Sequence, residues 1–385
     1  MKKTVLLALM KLDIGGAETH AVELAKELTR RGWRVLVASN GGVYVKELTD
    51  AGIKHYSVPL QNKNPFNMLK SLHLLKKIIR EEKPDIVHSH ARIPSFLLGI
   101  LHRRMHFPFV TTAHWVFSTK YGLRYLTDWG EKTLAVSEDI KTYLMENYNI
   151  PASDIFVTIN GIDTEKFSPE NNGSSVRSDF GIPQDAPVIA YVSRMDADRS
   201  LAAHQLIDAF PTLCETLPGL HLIVVGGGND FDAVKAEADA ANAAIGEERI
   251  RLTGGSTDIA RLISPADLFV GVSRAALEAM AAGKPTVIAG NEGYIGLFTE
   301  EKIPVCLETN FCCRGCKMSS SELLCKDILA FFQKTPEEKA ALSAFGREYV
   351  KKNYSVGRMT DDTEALYAAD FALHALPKKK SGRKG

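Results

Sequence analysis

Short apolar runs alternate with amphipathic stretches along most of the chain. The run Thr4–Leu9 precedes Glu18–Arg31, where hydrophobic positions recur at helical spacing, and a second apolar run, Arg34–Ser39, follows. Further strands are predicted at Asp85–His90, Phe109–Ala113, Leu134–Glu138, Val157–Ile159, Pro187–Ser193, Leu220–Val225, Arg249–Thr253, Leu268–Val272 and Thr286–Ala289. Further helices are predicted at Asn67–Glu82, Arg274–Ala282, Ser320–Gln333, Pro336–Asn353 and Asp361–Ala375. This alternation predicts an α/β protein with doubly wound, largely parallel sheets.

A polar, turn-rich segment interrupts the alternation between Thr164 and Ala186, where proline, asparagine, glycine and serine cluster. A chain of 385 residues is also long for one ordinary domain. We therefore predict an N-terminal domain over 1–168, a linker over 169–186, and a C-terminal domain that begins at 187.

Charge and composition narrow the class of protein. The chain has 47 Lys and Arg against 46 Asp and Glu, which argues against a nucleic-acid-binding protein. The N-terminus resembles the start of a signal peptide, but Lys11 and Asp13 end its apolar run and no small-residue cleavage site follows. No apolar run approaches the roughly 20 residues that span a bilayer. We therefore expect a cytoplasmic protein.

Five of the six cysteines are clustered in the C-terminal half, at Cys306, Cys312, Cys313, Cys316 and Cys325. Cys313 and Cys316 have the spacing of metal ligands, but no second pair of this spacing accompanies them. Structural zinc, a redox cluster and ordinary reduced thiols are all compatible with this pattern, so we assign no metal.

The stretch Leu268–Phe298 reads as strand, helix and strand with ligand-type residues at its turn. Ser273 is predicted to cap the helix, and Ser273 and Arg274 lie where helix amides and a positive dipole end attract phosphate. Glu278, just over one turn further, is suited to accept hydrogen bonds from the hydroxyls of a ribose. The alternative is that Glu278 is only a solvated acid favoured by the helix dipole.

Other ligand-type residues follow predicted strands. Gly15 and Gly16 form a turn between the first strand and helix, which suits either a phosphate-facing loop or an ordinary tight turn. Arg194 ends the strand Pro187–Ser193, and a glycine run that includes Gly226 and Gly227 ends the strand Leu220–Val225.

Histidines also lie where neighbouring parallel strands of the first domain are predicted to end. His88 and His90 close one strand, and His114 follows the next strand and precedes Trp115. Because ligands bind beyond the carboxyl ends of such strands, these side chains are candidates for a cleft. The alternative is a purely structural role, which we favour for His88 and His90.

Five motifs in chain order carry a resemblance to a known family. They are Gly15-Gly16-Ala17-Glu18, Lys83-Pro-Asp-Ile-Val-His-Ser-His90, Val136-Ser137-Glu138, Asn160-Gly-Ile-Asp-Thr-Glu-Lys-Phe-Ser-Pro169 and Leu277-Glu-Ala-Met-Ala-Ala-Gly-Lys-Pro285. Together they resemble the group 1 (family 4-like) retaining glycosyltransferases of the GT-B fold, which use nucleotide sugars.

The resemblance implies two Rossmann-like doubly wound domains that face a central cleft, with the C-terminal domain over 187–355. It also implies that a helix over 356–376 crosses back onto the N-terminal domain, before a basic tail at 377–385. By motif position, Gly16 matches the glycine near the donor phosphate and His114 the histidine near the donor sugar. Arg194 matches the residue that contacts the diphosphate, and Glu278 the acid on the ribose.

The chain departs from the family pattern on the sugar-facing side. Arg199 stands where members commonly have Lys, and Val270 stands where they commonly have a first Glu. The segment Gly293-Tyr-Ile-Gly296 replaces the usual Gly-Gly-x-x-Glu. Arg274 is therefore a candidate to supply positive charge where the acidic loop is missing.

The resemblance implies a retaining glycosyltransferase that moves a sugar from a nucleoside diphosphate to a polysaccharide, lipid-linked or other cell-envelope acceptor. No metal or other cofactor is expected. The alternatives are a non-catalytic nucleotide-sugar-binding homologue and an enzyme like the UDP-sugar 2-epimerases. The basic helix Asn67–Glu82 is either an ordinary surface helix or one that faces anionic lipid at the inner face of the plasma membrane. For the basic tail we favour solvated charge, with attraction to anionic lipid as the alternative.

Overall fold

The computed structural model describes residues 2–375, with the side chains of Tyr121 and Ala375 left out. The predicted basic tail at 377–385 lies outside the described residues. The chain divides into two compact units. The first runs to Gly161 and resumes at Val356, and the second is the continuous segment Ile162–Ser355.

The first unit is built on a seven-stranded parallel sheet in the order β3-β2-β1-β4-β5-β6-β7. Its strands are β1 (Thr4–Ala8), β2 (Arg34–Ser39), β3 (Lys54–Ser57), β4 (Ile86–Ser89), β5 (Phe109–Ala113), β6 (Lys132–Ala135) and β7 (Ile155–Val157). Its helices before Gly161 are α1 (Gly16–Arg30), α2 (Val45–Asp50), α3 (Pro65–Glu82), α4 (Arg92–Met105) and α5 (Glu138–Tyr148). The order reverses direction between β1 and β4, which is the topological switch point of a Rossmann-like sheet.

The continuous apolar sequence of β1 is explained by burial on both faces of the sheet. Val5 and Leu7 belong to a core cluster with residues of α1, whereas Leu6 and Ala8 belong to a cluster with residues of α3 and α4. A parallel strand covered by helices on both sides has no polar face, so it reads as an apolar run without alternation.

The second unit is built on a six-stranded sheet in the order β10-β9-β8-β11-β12-β13. Its strands are β8 (Val188–Val192), β9 (His221–Val225), β10 (Ile250–Leu252), β11 (Leu268–Gly271), β12 (Thr286–Gly290) and β13 (Gly293–Leu297). Its helices are α6 (Ser174–Phe180), α7 (Leu201–Thr216), α8 (Phe231–Ile245), α9 (Ile259–Ile263), α10 (Ser273–Ala281), α11 (Ile303–Glu308), α12 (Ser321–Phe332) and α13 (Pro336–Tyr354). The switch point lies between β8 and β11, and the predicted pair of doubly wound α/β sheets is confirmed.

One edge of the second sheet differs from the parallel arrangement. β13 pairs antiparallel with β12 through a tight turn, with a register irregularity between Ile288 and Ala289. The glycine-flanked segment Gly293-Tyr-Ile-Gly296 is therefore part of an edge strand, which the sequence analysis did not predict.

The segment 169–186, which we expected to be a linker, is folded onto the second unit. It contains α6, and the buried Arg177 donates hydrogen bonds to the carbonyl oxygens of Pro183, Ala186 and Pro265 at 2.8, 2.9 and 3.0 Å. Its polar and turn-forming residues form caps and turns around a short helix. The first unit accordingly ends at Gly161, seven residues before the predicted boundary at 168.

The last helix, α14 (Val356–Ala375), belongs to the first unit. Met359, Leu366 and Tyr367 lie in the same core cluster as Val5 and Leu7. Among the described helices, none is both long enough and apolar enough to cross a membrane.

Candidate functional site

Four histidines meet at the switch point of the first unit. His88 lies in β4, His90 directly follows β4, and His114 directly follows β5. His20 comes from α1, one turn after Gly16. β4 and β5 are parallel, so their carboxyl ends lie at the same edge of the sheet. α1 contributes His20 to the same cluster.

The rings form a continuous contact cluster. The centroids of His88 and His90 are 4.2 Å apart, those of His90 and His114 are 5.4 Å apart, and those of His20 and His114 are 4.7 Å apart. His90 Nδ1 and His114 Nε2 are 3.1 Å apart, and His20 Nδ1 is 3.2 Å from Asn160 Oδ1. The cluster is therefore hydrogen-bonded internally and to the loop after β7.

His88 has a different environment from the other three histidines. Its Nδ1 lies 2.8 Å from the hydroxyl of Tyr367 on α14, and its Nε2 lies 2.7 Å from Thr112 Oγ1. Both ring nitrogens are thus engaged by protein groups. This arrangement supports the structural role that we favoured for His88.

Burial keeps His88, His90 and His114 uncharged. Loss of solvation, followed by the proximity of other histidines, holds the pKa of His88, His90 and His114 well below the usual value. A neutral imidazole can accept a hydrogen bond from a hydroxyl at one nitrogen and donate one at the other. The ring nitrogens of His20, His90 and His114 also lie within 4.8 Å of one another, close enough to hold a metal ion.

The glycine turn adjoins this cluster through α1. Gly15 is the N-cap of α1, and the helix begins at Gly16, two residues before the predicted start. A Cβ atom on Gly15 would lie 2.3 Å from the carboxylate of Glu18, whereas a Cβ atom on Gly16 would meet nothing within 4 Å. Space for a ligand therefore exists beside Gly16, whereas at Gly15 only the end of the flexible Glu18 side chain would have to move.

Trp115 lies on the loop after β5, beside His114. Its side chain is 59% exposed, in contrast to Phe117, which stacks on Trp129. The exposed indole lies next to a partly buried histidine and is available for contact with a ligand.

In the second unit, two arginines follow β8 at the switch point. Arg194 and Arg199 are about half exposed, and their closest acidic groups are Asp196 at 3.5 Å and Asp198 at 3.8 Å, respectively. Neither arginine is buried in an ion pair, so both guanidinium groups can contact an anion.

The glycine run after β9 packs against the loop that carries Arg194. A Cβ atom on Gly226 would lie 1.8 Å from the carbonyl oxygen of Ser193, and one on Gly228 would lie 2.2 Å from that of Met195. The amide of Gly226 donates to the carbonyl oxygen of Gly254 at 2.9 Å. Gly226 therefore positions the arginine loop, and its amide does not face a ligand.

The start of α10 differs from the prediction at one residue. Val272, not Ser273, is the N-cap, and Ser273 has a left-handed backbone with φ of +54°. The amide of Ser273 donates to the carbonyl oxygen of Phe311 at 2.8 Å. That amide is consequently unavailable to a phosphate, because it is already hydrogen-bonded to a residue 38 positions further along the chain.

Arg274 and Glu278 form a largely buried ion pair on the first turns of α10. Arg274 Nε lies 2.7 Å from Glu278 Oε1, and the two side chains are 15% and 10% exposed. The pair joins two residues to which we had given separate roles. A ligand that binds Glu278 would therefore also meet the guanidinium of Arg274.

The departures from the family pattern have structural counterparts. Val270 is fully buried in β11, and Val272 alone separates β11 from α10.

The cysteine-bearing segment packs nearby: burial raises the pKa of the Cys306 thiol to about 12 and also raises that of Cys313. Groups of three close metal-ligand atoms within residues 2–375 include no cysteine.

Comparison with known families gives the identity of the chain. A family profile described as Glycosyltransferase Family 4 matches residues 14–166, and one described as Glycosyl transferases group 1 matches residues 174–329. The two matches fall on the two structural units, in chain order. The chain belongs to the group 1 glycosyltransferases. It is an enzyme of the GT-B fold.

Individual relatives agree with this family. The UDP-Gal:alpha-D-GlcNAc-diphosphoundecaprenol alpha-1,3-galactosyltransferase of Escherichia coli is 24% identical over 281 residues, which cover 67% of this chain and 71% of that protein. The glycosyltransferase of Rickettsia africae has a TM-score of 0.75 at 23% identity, covering 96% of this chain and 99% of that chain. Anabaena Alr3699/HepE, solved in complex with UDP, has a TM-score of 0.70 at 19% identity, covering 96% and 100%.

For this glycosyltransferase, the structure gathers the predicted residues into two groups. His88, His90, His114 and the Gly15-Gly16 turn lie at the switch point of the first unit. The donor-side residues of the second unit lie in the loops after β8 and β9 and in α10. Sequence reasoning missed His20 and Asn160. Two features of the sequence could have indicated them. His20 lies one turn into the helix that follows the glycine loop, and Asn160 lies in the turn after the last strand of the first unit.

Proposed function

We propose that this glycosyltransferase uses a UDP-sugar and transfers the sugar to a lipid-linked precursor of a cell-envelope glycan. The Escherichia coli relative is named for a UDP-galactose donor and a diphosphoundecaprenol-linked acceptor, and HepE was solved with UDP. The observation that carries the proposal is the placement of exposed Arg194 and Arg199 after β8, beside the strand that leads to Arg274 and Glu278.

The chemistry of the donor accounts for this set of residues. When the glycosidic bond to the diphosphate breaks, negative charge grows on the leaving oxygen and the sugar becomes oxocarbenium-like. Arg194 and Arg199 would stabilise that charge, and Glu278 would accept hydrogen bonds from the ribose hydroxyls. We infer that Arg274 orients Glu278 and adds positive charge near the diphosphate.

The histidine cluster suits contact with sugar hydroxyls. The neutral rings of His90 and His114 can exchange hydrogen bonds with hydroxyls without adding a charge beside the oxocarbenium-like centre. We propose that His114 contacts the donor sugar and that exposed Trp115 contacts the acceptor. An aromatic face beside polar groups is a common way to hold a sugar ring or a lipid-linked substrate.

The donor is tested by thermal shift with UDP-, GDP- and ADP-sugars, because a ligand that binds only the native state raises the unfolding temperature. We expect UDP-sugars to give the largest shift, and Arg194→Ala to reduce it. Arg261→Ala is the control, since Arg261 is 42% exposed against 54% for Arg194 and lies in the same unit, where it pairs with Asp179. Equal shifts for all bases, or equal losses in both variants, would contradict the donor assignment.

The acceptor is tested by following UDP release and product formation with the selected donor. We expect transfer only when a diphospholipid-linked sugar is present. Conversion of the nucleotide sugar without any acceptor would indicate epimerase-type chemistry. Binding without turnover across acceptors would indicate a nucleotide-sugar-binding homologue.

We further propose that α3 docks on anionic membranes. Its exposed face begins with the apolar Phe66 and Leu69 and continues with the basic Lys70, Lys77 and Arg80. These positions recur at helical spacing, so they form one continuous strip. Apolar side chains beside basic ones suit the boundary between lipid headgroups and acyl chains.

Vesicle binding tests this docking. Lys70→Glu and Lys77→Glu should each weaken binding to anionic vesicles by at least about fivefold, because a basic residue contributes about 1 kcal/mol near such a surface and the new carboxylate is repelled by it. Binding should also fall as salt increases. Lys46→Glu, an 84% exposed lysine on α2, is the matched control. Binding that ignores salt, or that falls equally with Lys46→Glu, would rule out α3 as the docking surface.

A further inference from the structure

A second group of ligand-type side chains lies at the opposite edge of the first sheet. Glu131 directly precedes β6, so it lies at the amino end of that strand, whereas the histidine cluster follows the carboxyl ends of β4 and β5. Asp370 and His374 lie in the last turns of α14. One ligand atom from each of the three side chains lies within 4.8 Å of the others.

Asp370 is the unusual member of this group. Its side chain is fully buried, and neither carboxylate oxygen has a hydrogen-bond partner among residues 2–375. A buried carboxylate without a partner is costly unless it is protonated or faces a cation. Burial, followed by the charge of Glu131, raises the pKa of Asp370 to about 7.

Among residues 2–375, no basic group forms a hydrogen bond with Asp370. The nearest basic groups are His374 and Lys132. His374 Nε2 lies 2.5 Å from Glu131 Oε2, and Lys132 Nζ lies 2.5 Å from Asp154 Oδ1. Both basic groups are hydrogen-bonded to other carboxylates, and neither donates a hydrogen bond to Asp370.

We propose that Glu131, Asp370 and His374 bind a divalent transition-metal ion of the Zn²⁺ type, and that the ion fixes the end of α14 to the start of β6. Two carboxylates and one imidazole are a ligand set that Zn²⁺ accepts, with a water in the fourth position. Asp370 and His374 are four residues apart on a helix, so both side chains project from the same face. Glu131 supplies a ligand from the neighbouring element.

The ion would act as a link between distant parts of the sequence. α14 reaches the first unit only after the whole second unit has been completed. A metal bridge from Glu131 to Asp370 and His374 joins residues that are about 240 positions apart, as their numbering shows. The ion would therefore stabilise the first unit at the amino ends of its strands, away from the histidine cluster at their carboxyl ends.

Zn²⁺ binding to the untagged, chelator-treated full chain tests the proposal, by calorimetry and thermal shift, with Mg²⁺ for comparison. We expect one Zn²⁺ per chain and a rise in the unfolding temperature. Asp370→Asn and His374→Gln should each weaken binding by about 10- to 100-fold or more, since even outer-shell partners of metal ligands contribute this much. Without metal, Asp370→Asn should unfold at or above the wild-type temperature, because Asn carries no buried charge.

Two variants separate this site from other metal-binding groups. His204→Gln is the matched control, because His204 lies 2.8 Å from Asp230 and 2.6 Å from Glu237 on the surface of the second unit. His90→Gln removes a ligand from the histidine cluster. We expect both variants to bind Zn²⁺ like the wild type. Unchanged affinity in Asp370→Asn, loss of binding in His90→Gln, or equal affinity for Mg²⁺ would overturn the proposal.

Discussion

At the scale of single residues, the Arg274–Glu278 ion pair is the feature with the largest consequence for donor binding. Either residue could contact the nucleotide directly, or Arg274 could serve only to hold Glu278 in place. The two roles differ in how the mutations combine, because residues that act through one another do not have additive effects.

A double-mutant cycle of Arg274→Ala and Glu278→Gln separates these roles by UDP affinity. We expect each single variant to bind about tenfold more weakly, since a hydrogen bond to a charged group contributes about 1.5 to 3 kcal/mol. If Arg274 also contacts the diphosphate, the double variant should bind more weakly than either single variant. Asp239→Asn, in the exposed pair with Lys235 on α8, is the control. Wild-type affinity in Arg274→Ala would remove this residue from donor binding.

The buried histidines also determine how stability responds to pH. Because the pKa of folded His90 lies well below that of an unfolded histidine, the unfolded chain binds more protons in acid. Stability should therefore fall as the pH drops below about 6.5, the pKa of an unperturbed histidine.

The variant His90→Gln should lose less stability than the wild type on acidification. Between pH 7 and pH 5.5 the difference should be about 1 kcal/mol, the linkage contribution of one such group. Unfolding temperatures across this pH range measure it. The exposed His73 on α3 provides the control variant His73→Gln. A pH profile of His90→Gln that matches the wild type would show that His90 becomes protonated in the folded protein.

At the scale of elements, α14 is held to α1 by a polar contact as well as by the core. Arg31 directly follows α1, and its guanidinium pairs with Asp361 at 2.6 Å and Glu364 at 2.7 Å. Trp33 donates to the other oxygen of Glu364 at 2.8 Å. Burial lowers the pKa of Arg31, but hydrogen bonds to Glu27, Asp361 and Glu364 outweigh burial and raise that pKa, so the guanidinium stays charged.

Arg31→Ala should destabilise the first unit by about 1 to 3 kcal/mol, more than an exposed ion pair and less than a fully buried one. Limited proteolysis should cut α14 sooner, and the unfolding temperature should fall. Arg30→Ala is a closely matched control, because Arg30 is 73% exposed against 22% for Arg31 and pairs within α1 with Glu27. Similar effects from both variants would contradict the anchoring role.

At the scale of the whole molecule, the two units differ in how the chain builds them. The second unit is continuous, and its ends are adjacent, because the amide of Ile162 donates to the carbonyl oxygen of Tyr354 at 2.7 Å. The first unit is discontinuous and depends on α14. Leu366 and Tyr367 are almost fully buried, so the first unit cannot complete its core until the chain is finished.

Truncation should therefore affect the units unequally. Residues 162–355 alone should fold cooperatively and bind nucleotide, whereas residues 2–161 alone should expose apolar surface and bind a hydrophobic dye. Joining 2–161 to 356–375 through a Gly/Ser linker should restore the cooperative transition. Circular dichroism with thermal melts measures the outcome. A well-folded 2–161 fragment would show that α14 is dispensable for this core.

The sequence alone determined the local architecture. Apolar runs and helical spacing predicted two α/β sheets, because the periodicity of each element follows from its own backbone geometry. The motifs around Gly16 and Glu278 indicated the family by the same local logic. The sequence did not predict the bounds of α10, nor that residues 169–186 fold onto the second unit. Caps and turns have the same residue types whether a segment links two units or packs on one.

Tertiary structure alone decided which distant residues share an environment. Asn160 is hydrogen-bonded to His20, and the carbonyl group of Phe311 accepts a hydrogen bond from the amide of Ser273. Asp370 is buried beside Glu131. Each of these contacts depends on how sheets and helices stack, and sequence periodicity carries no information about partners far along the chain. Burial then sets the protonation of His90 and Asp370, because desolvation exists only once the surrounding elements have packed.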